Sequence, residues 1–382
     1  MAEYRDTFFD EERPWSRLKN RILESYVEPY LAKVNKRREH IVLVDAFAGP
    51  GKGADGAPGS PLIICEAAER RAKGKYSAYF FNNDPDHHRQ LSDHLGSKGY
   101  SSATPILGDA IALIKLLTQS LSDHTLFLYV DPFGLDCEFD VLIPLLEREK
   151  RYSTEILINL QMPIIHRLAC KNTCPSSHTE DARIRGFHDK LSRTLGGEYW
   201  KQEMWSEPLT AKERENQLIA RYRHQLSSTG YLTWTGACPI RERIESQTKY
   251  FMVFASPHPD ALLLLNDTMC KSFQDYMHNQ WAKDTIFAES SWTEWRDHAR
   301  IDQVVLQYVG QHDGSTRKDL WYKIVADHFM LFTEAEYRQT IKRLCDSQRI
   351  ECVTPIVKGG TRPTKSLNDN CVFKLPDQQS MF

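Results

Sequence analysis

The apolar run Ile41-Val42-Leu43-Val44, followed by Asp45-Ala46-Phe47-Ala48-Gly49-Pro50-Gly51, constrains this chain more than any other segment. It follows the charged stretch Lys36, Arg37, Arg38, Glu39, and its unbroken hydrophobicity reads as a strand buried on both faces, as in a parallel sheet. The acid, aromatic and glycine-rich bend then lie at the carboxyl edge of a doubly wound sheet, where such folds hold ligands. The unit recurs down the chain. Ser60-Pro61 opens an apolar helix (Leu62, Ile63, Ile64, Ala67, Ala68), with Ser60 the expected N-cap. Tyr79-Phe80-Phe81-Asn82 leads to Asp84, Ile106-Leu107-Gly108 to Asp109-Ala110, and Thr125 to Val130 to Asp131-Pro132-Phe133-Gly134. A further strand, Ile156 to Gln161, carries polar Asn159 and Gln161 at its end. Four successive strands that each end in an acid predict an α/β, doubly wound, Rossmann-like sheet, although polar strand ends also occur without a ligand.

D-x-F-x-G-x-G after a strand resembles the first motif of class I methyltransferases, which bind S-adenosylmethionine. The glycines are spread over Gly49, Gly51, Gly53, Gly56 and Gly59, unlike the compact G-x-G-x-x-G of nicotinamide-binding turns. The likeness implies that Asp45, Phe47, Ala48, Gly49 and Gly51 shape the methionine end of a cofactor pocket. Asp84 is then the ribose partner, and Asp109 and Ala110 lie beside adenine. Asp131-Pro132-Phe133-Gly134 stands where exocyclic-amine methyltransferases carry [N/D]-P-P-[aromatic]. There a side chain and a backbone carbonyl accept hydrogen bonds from the amine, which aims its nitrogen at the methyl donor. Asp131 becomes the amine-holding residue and Phe133 the stacking ring; the alternative has Asp131-Pro132 simply ending a strand and Phe133 in the core. Asn159 and Gln161 are placed to read a base edge.

Over residues 15–285 the chain resembles the three-Cys-motif partner proteins, a bacterial family with a methyltransferase-like domain. The shared features are Leu18-Lys19-Asn20-Arg21-Ile22-Leu23, D-A-F-A-G-P-G, Gly59-Ser60-Pro61-Leu62, V-D-P-F-G-L, Ile158-Asn159-Leu160, Lys249-Tyr250-Phe251 and Phe254-Ala255-Ser256. The resemblance implies a separate partner protein bearing three cysteines. Asn82-Asn83-Asp84 departs from the family pattern. D-P-F-G, with N-D-P and G-D-A upstream, also resembles the tRNA guanine-N2 dimethyltransferases, which implies an RNA acceptor in preference to DNA.

The C-terminal portion predicts a different module. Ile301 to Gln311 has helical spacing, Ser315 or Thr316 caps a helix with Leu320, Trp321, Ile324 and Val325 on its apolar face, and Thr333 with Glu336 has capping-box spacing. Strands Ile350–Val353 and Cys371–Leu375 flank a basic, glycine-rich tip. Three helices and a hairpin describe a winged helix-turn-helix over 297–382, behind a Rossmann-like domain over 1–296. Arg338, Lys342 and Arg343 on its third helix and Lys358, Arg362 and Lys365 on its wing would meet phosphates. Winged helices also dock proteins, so the rival reading is a catalytically silent adaptor that binds cofactor or nucleic acid and docks the three-cysteine partner.

Residues 164–215 are polar and rich in Arg, His and Trp, which predicts an inserted lid over the active edge. Trp200 and Trp205 either stack on a base or cover the core. His166, Cys170, Cys174 and His178 recur every fourth residue, too extended along one helix for a single tetrahedral zinc, and no metal is expected. Strands are expected at Tyr231–Trp234 and Lys249–Ala255, with a helix over Asp260–Met269. Nine scattered cysteines without a C-x-x-C pair fit free thiols in a cytoplasmic protein. No apolar run approaches a membrane span, no apolar leader core opens the chain, and a net charge of −2 argues against indiscriminate nucleic-acid binding.

Overall fold

The computed structural model describes residues 14–53, 55–121, 123–149, 151–171, 178–242, 246–284, 298–355, 361–363 and 368–376. Two compact units divide the chain between His258 and Pro259.

The first unit alternates helix and strand: α1 (Pro14–Val34), β1 (Ile41–Asp45), α2 (Ser60–Ala72), β2 (Tyr76–Asn82), α3 (Pro85–Lys98), β3 (Ala103–Leu107), α4 (Ala110–Ser120), β4 (Thr125–Val130), α5 (Phe139–Leu146) and β5 (Thr154–Gln161). Helices α6 (Met162–Leu168), α7 (His178–Leu195), α8 (Tyr199–Met204) and α9 (Ala211–Thr229) follow, then β6 (Trp234–Ile240) and β7 (Tyr250–Ser256). The seven strands form one sheet in the order β3-β2-β1-β4-β5-β7-β6. Strands β1 to β5 pair in parallel, while β7 runs antiparallel to both neighbours. That order with a reversed seventh strand is typical of the class I methyltransferase fold. The order switches direction between β1 and β4, so the loops after these two strands flank the topological switch point, where open α/β sheets hold ligands. Because β7 is reversed, its first residue, Tyr250, pairs with Gln161 at the same edge.

Both faces of the sheet are covered. On one, Tyr26 and Tyr30 of α1 pack on Phe127 with ring centroids 6.1 and 5.5 Å apart, and the Tyr26 hydroxyl donates to Glu155 of β5. On the other, Val42, Leu126 and Leu128 meet Leu142, Leu191, Leu195, Trp200, Leu218 and Tyr222. The segment expected as a polar lid therefore contributes apolar faces of α7 and α8 to the main core. Trp200 is fully buried against partly buried Trp205 (5.4 Å), and Trp205 donates to the Ala169 carbonyl at 2.8 Å, so both rings pack on the core.

Strand β6 begins where the sequence reading ended it. Gly236 and Pro239 look like turn residues, but β6 is an edge strand, where a missing N–H is tolerated.

In the second unit α10 (Pro259–Asp284), α11 (His298–Gln311), α12 (Arg317–Asp327) and α13 (Glu334–Asp346) precede β8 (Glu351–Pro355), β9 (Thr361–Pro363) and β10 (Val372–Lys374). The strands form an antiparallel sheet in the order β10-β8-β9. Thr316 caps α12, and the predicted capping box is present: Thr333 N–H donates to Glu336 at 2.8 Å and Glu336 N–H to the Thr333 hydroxyl at 3.4 Å. Trp321 stacks on Tyr337 at 4.8 Å. Helix α10 is longer than expected and falls in this unit, whereas the sequence reading placed the boundary after residue 296. Buried Asn266 anchors it, donating to the Phe332 carbonyl at 3.0 Å and accepting from Met330 N–H at 2.8 Å. Those bonds hold Met330 in its left-handed conformation (φ 64°). Among the described residues no helix is long and apolar enough to cross a membrane.

Candidate active site

Asp45 ends β1 with no exposed surface. Ser60 Oγ donates to its Oδ2 at 2.6 Å and Phe47 N–H to its Oδ1 at 3.2 Å. Gly59, not Ser60, occupies the N-cap of α2; Ser60 is the first helical residue, its hydroxyl drawn back to the carboxyl group. Burial pushes Asp45 up to about 7; the Ser60 hydrogen bond opposes the rise and the charge of Asp131 adds to it.

The bend after Asp45 closes on itself. Gly59 N–H donates to the Gly51 carbonyl at 2.8 Å, and a Cβ at Gly59 would lie 3.2 Å from that oxygen. Gly51 sits at φ +89°, a conformation that L side chains rarely adopt. Ala48 N–H donates to the Phe81 carbonyl at 2.8 Å. Asn82 then joins two loops with one amide: its Nδ2 donates to the Ala48 carbonyl at 2.7 Å and its Oδ1 accepts from Asp84 N–H at 2.8 Å. The polar Asn82-Asn83-Asp84 approach is thereby explained, since Asn82 is buried and clamps the first bend.

A second group gathers at the ends of β4 and β5. The ammonium of Lys19, from α1, pairs with Asp131 Oδ2. Asn159 Nδ2 donates to Asp131 Oδ1 at 2.8 Å and to the Tyr129 hydroxyl at 2.9 Å. Tyr129 in turn reaches Asp131 Oδ2 at 3.5 Å, and Gln161 Nε2 donates to the Pro132 carbonyl at 2.8 Å. The Asn159 Oδ1 is buried without a hydrogen-bond partner among the described residues. Lys19 lies 5.8 Å from the centre of the Tyr250 ring. Burial alone would lower its ammonium, but Asp131, Tyr250 and Asp45 outweigh this and raise it. The Tyr129 hydroxyl is driven well above its usual range by burial and then by Asp131 and Asp45. Beyond Pro132, Phe133 is 47% exposed and so is not a core residue, and Gly134 turns the chain at φ +104°.

The other expected pocket residues have local structural partners. Asp84 is the N-cap of α3, accepting from Asp86 and His87 N–H at 2.8 and 3.0 Å. Asp109 caps α4 through Ala112 N–H at 2.8 Å, with buried Ala110 as the first helical residue. In the second unit Arg338 pairs with Glu334 at 2.7 Å and Arg343 with Asp302, while Lys342 is exposed. Arg362 lies in β9; Lys358 and Lys365 fall outside the described residues.

Of the histidines and cysteines spaced by four, His166 pairs with buried Glu215 at 2.7 Å. Cys170 receives a bond from His188 on its carbonyl, and Cys174 and the His178 side chain lie outside the described residues. Among the described residues no group of three His, Cys, Asp or Glu could hold a metal ion.

Sequence reading missed Lys19, Tyr129 and Tyr250. For Lys19 a signal existed: Ile22, Leu23 and Tyr26 stand three, four and seven residues on and are all fully buried, so Lys19 lies on the inward stripe of α1.

No protein-family model matches this chain, and no curated protein matches it. Solved structures resemble it distantly. An rRNA methylase from Streptococcus thermophilus is 13% identical, with 60% of this chain and 92% of that chain covered at a TM-score of 0.29. TYW2 of M. jannaschii, solved in complex with AdoMet, is 12% identical, with 60% and 75% covered at a TM-score of 0.28. At these scores the likeness adds nothing to the strand order, which by itself identifies the fold as methyltransferase-like.

Proposed function

We propose that this protein is an S-adenosylmethionine-dependent methyltransferase that methylates a nucleobase nitrogen, an exocyclic amine in RNA in preference to DNA. The observation that carries this reading is the ordered carboxylate of Asp131, braced by Asn159 and Tyr129 beside the topological switch point. The residues suit the cofactor. Two carboxylates, Asp45 and Asp131, against the single ammonium of Lys19 favour a cationic ligand, and the unpartnered Asn159 Oδ1 awaits a donor. When bound, the cofactor supplies a methyl group carried on a sulfonium. Asp45, Phe47, Ala48, Gly49 and Gly51 form the methionine end, Asp84 meets the ribose, and Asp109 and Ala110 adjoin adenine.

The protein's own work is positioning. Asp131 accepts the amine N–H and turns the nitrogen lone pair toward the donor. Gln161 fixes the Pro132 carbonyl, which offers a second acceptor, and exposed Phe133 presents a ring face to the base. Asn159 keeps Asp131 in place, and the nitrogen sheds its proton after transfer.

In the second unit, α11 to α13 with the β8–β10 sheet act as a winged helix-turn-helix. Arg338, Lys342 and Arg343, with Lys358, Arg362 and Lys365, bind phosphates. The chain is then read as a three-Cys-motif partner protein working in the cytoplasm. A second reading draws on the ion pairs Arg338–Glu334 and Arg343–Asp302, which occupy two of those cations. In it the winged helix docks a three-cysteine partner protein and the chain is an adaptor.

Calorimetry with S-adenosylmethionine and its demethylated product tests the cofactor site. Micromolar binding, about −8 kcal/mol, that disappears in Asp45→Ala is the expected result. Mass spectrometry of RNA nucleosides from cells carrying wild type or Asp131→Ala tests the reaction. A normal cellular phenotype with Asp131→Ala, lost on removing 297–382, favours the adaptor.

A further inference from the structure

We infer that Lys19 is the positioning residue that recognises the carboxylate of the bound cofactor and thereby uncovers Asp131 for the acceptor; this rests on the S-adenosylmethionine reading above. Two acids stand together at this sheet edge, buried Asp45 beneath the surface and Asp131 partly exposed. The amino-acid end of S-adenosylmethionine carries a carboxylate as well as an ammonium. The ammonium and sulfonium suit the two aspartates, but the carboxylate would meet like charge at this edge unless a cation accompanied it. Within the network of Asp45, Tyr129, Asp131, Asn159 and Tyr250, Lys19 is the cation.

Its placement is unusual for a lysine. The side chain is only 17% exposed, held on the apolar stripe of α1. An ammonium so enclosed needs an anion at all times. Before ligand binds, Asp131 is that anion. A lysine has three donors on a flexible four-carbon stem, so it can transfer to a second carboxylate nearby without moving the helix.

The transfer has a consequence at Asp131. Its Oδ1 accepts from Asn159 and its Oδ2 from Lys19 and Tyr129. The Lys19 contact therefore occupies the oxygen an acceptor amine would use. When Lys19 turns to the cofactor carboxylate, Oδ2 gains a lone pair for the incoming N–H, and the acceptor subsite opens once the cofactor is seated. Asn159 remains to hold the carboxylate plane.

The test compares S-adenosylmethionine with decarboxylated S-adenosylmethionine, the same sulfonium without the carboxylate, by calorimetry on the full chain. Wild type should prefer the carboxylated ligand by roughly tenfold to a hundredfold, the range of a hydrogen bond between charged groups. Lys19→Met should bring the two affinities within about threefold of each other while leaving the decarboxylated ligand nearly unaffected, and Lys19→Arg should keep most of the preference. Equal weakening of both ligands in Lys19→Met would overturn the inference and leave Lys19 as a latch on Asp131. So would a wild type that binds both ligands equally well. A wild type that binds neither removes the methyltransferase reading itself, a result distinct from equal loss. If Lys19→Met does not fold, the double variant Lys19→Met/Asp131→Asn, which encloses no lone charge, is put through the same comparison with the same expected ratio.

Discussion

The sheet edge of the first unit and the helical face of the second use charge in opposite ways. At the edge, residues from α1, β1, β4 and β5 converge, and Lys19, Asp131, Tyr129 and Asn159 satisfy one another while Asn159 Oδ1 stays unmet. In the second unit the buried charge is structural. Arg317, 2% exposed, is held by Asp369 and by Glu334 at 3.4 Å, and Asn266 has both its amide groups engaged. The exposed cations there pair with nearby acids or point to solvent. What differs is the setting: the spare Nε of Arg317 lies inside the fold of its own unit, whereas the spare Asn159 Oδ1 adjoins the charged cluster at the sheet edge.

Arg317→Ala should break the second region without touching the first. Removing the buried Arg317 side chain, with partly exposed Glu334 and Asp369 left to water, should cost about 1–3 kcal/mol through lost packing and hydrogen bonds. Thermal unfolding should show the loss, and S-adenosylmethionine affinity should not change; a parallel fall in affinity would mean the two regions are not separable. Asp131→Ala should do the converse. Methyl transfer is expected to fall by at least about a hundredfold, because the amine is no longer aimed, while cofactor binding survives. Radiolabelled methyl incorporation against calorimetry checks both.

Two pH profiles sharpen the distinction within the first unit. Asp45 is raised by burial to about 7, and a cationic ligand binds the ionised form, so affinity should climb as pH rises through 7 and then level. Asp45→Asn should flatten that profile. Glu155 is also raised to about 7, by burial against which the Tyr26 hydrogen bond works, but it lies in the core under α1. A carboxyl raised in the folded state keeps a proton that the unfolded chain has already lost above its ordinary value of 4.5. Stability from this group is therefore greatest below that value and falls as pH rises toward 7. Glu155→Gln should reduce the slope of stability against pH over that window, measured by denaturant unfolding, with no effect on the pH dependence of ligand affinity. The smallest effects belong to the surface cations. Lys342→Ala and Arg343→Ala should each alter stability by less than about 0.5 kcal/mol and lower the salt slope of RNA binding by about one.

Much of the sheet could be read from the chain because its strands are continuous apolar runs with acids at their ends. The boundaries that failed have physical reasons. Pro239 hid an edge strand, and α7 and α8 looked polar because only one narrow face of each is buried. Within the candidate site, Asp45 and Asp131 stand out in the sequence because local motifs carry them. The site was opaque where tertiary convergence builds it: Lys19 reaches Asp131 from another helix, and Ser60 serves Asp45 instead of its own helix end. The acids Asp84 and Asp109 were visible, but their service as helix caps depends on backbone geometry that residue type alone does not fix.

Asn82 ties the glycine bend after β1 to the turn that starts α3, through one side-chain amide bonded at both ends. Mechanically this is a linkage with no slack. The bend cannot lift away from the sheet without pulling on the first turn of α3, and α3 cannot shift along its axis without dragging the Ala48 carbonyl. Whatever presses on one loop is felt by the other, so the two loops move together.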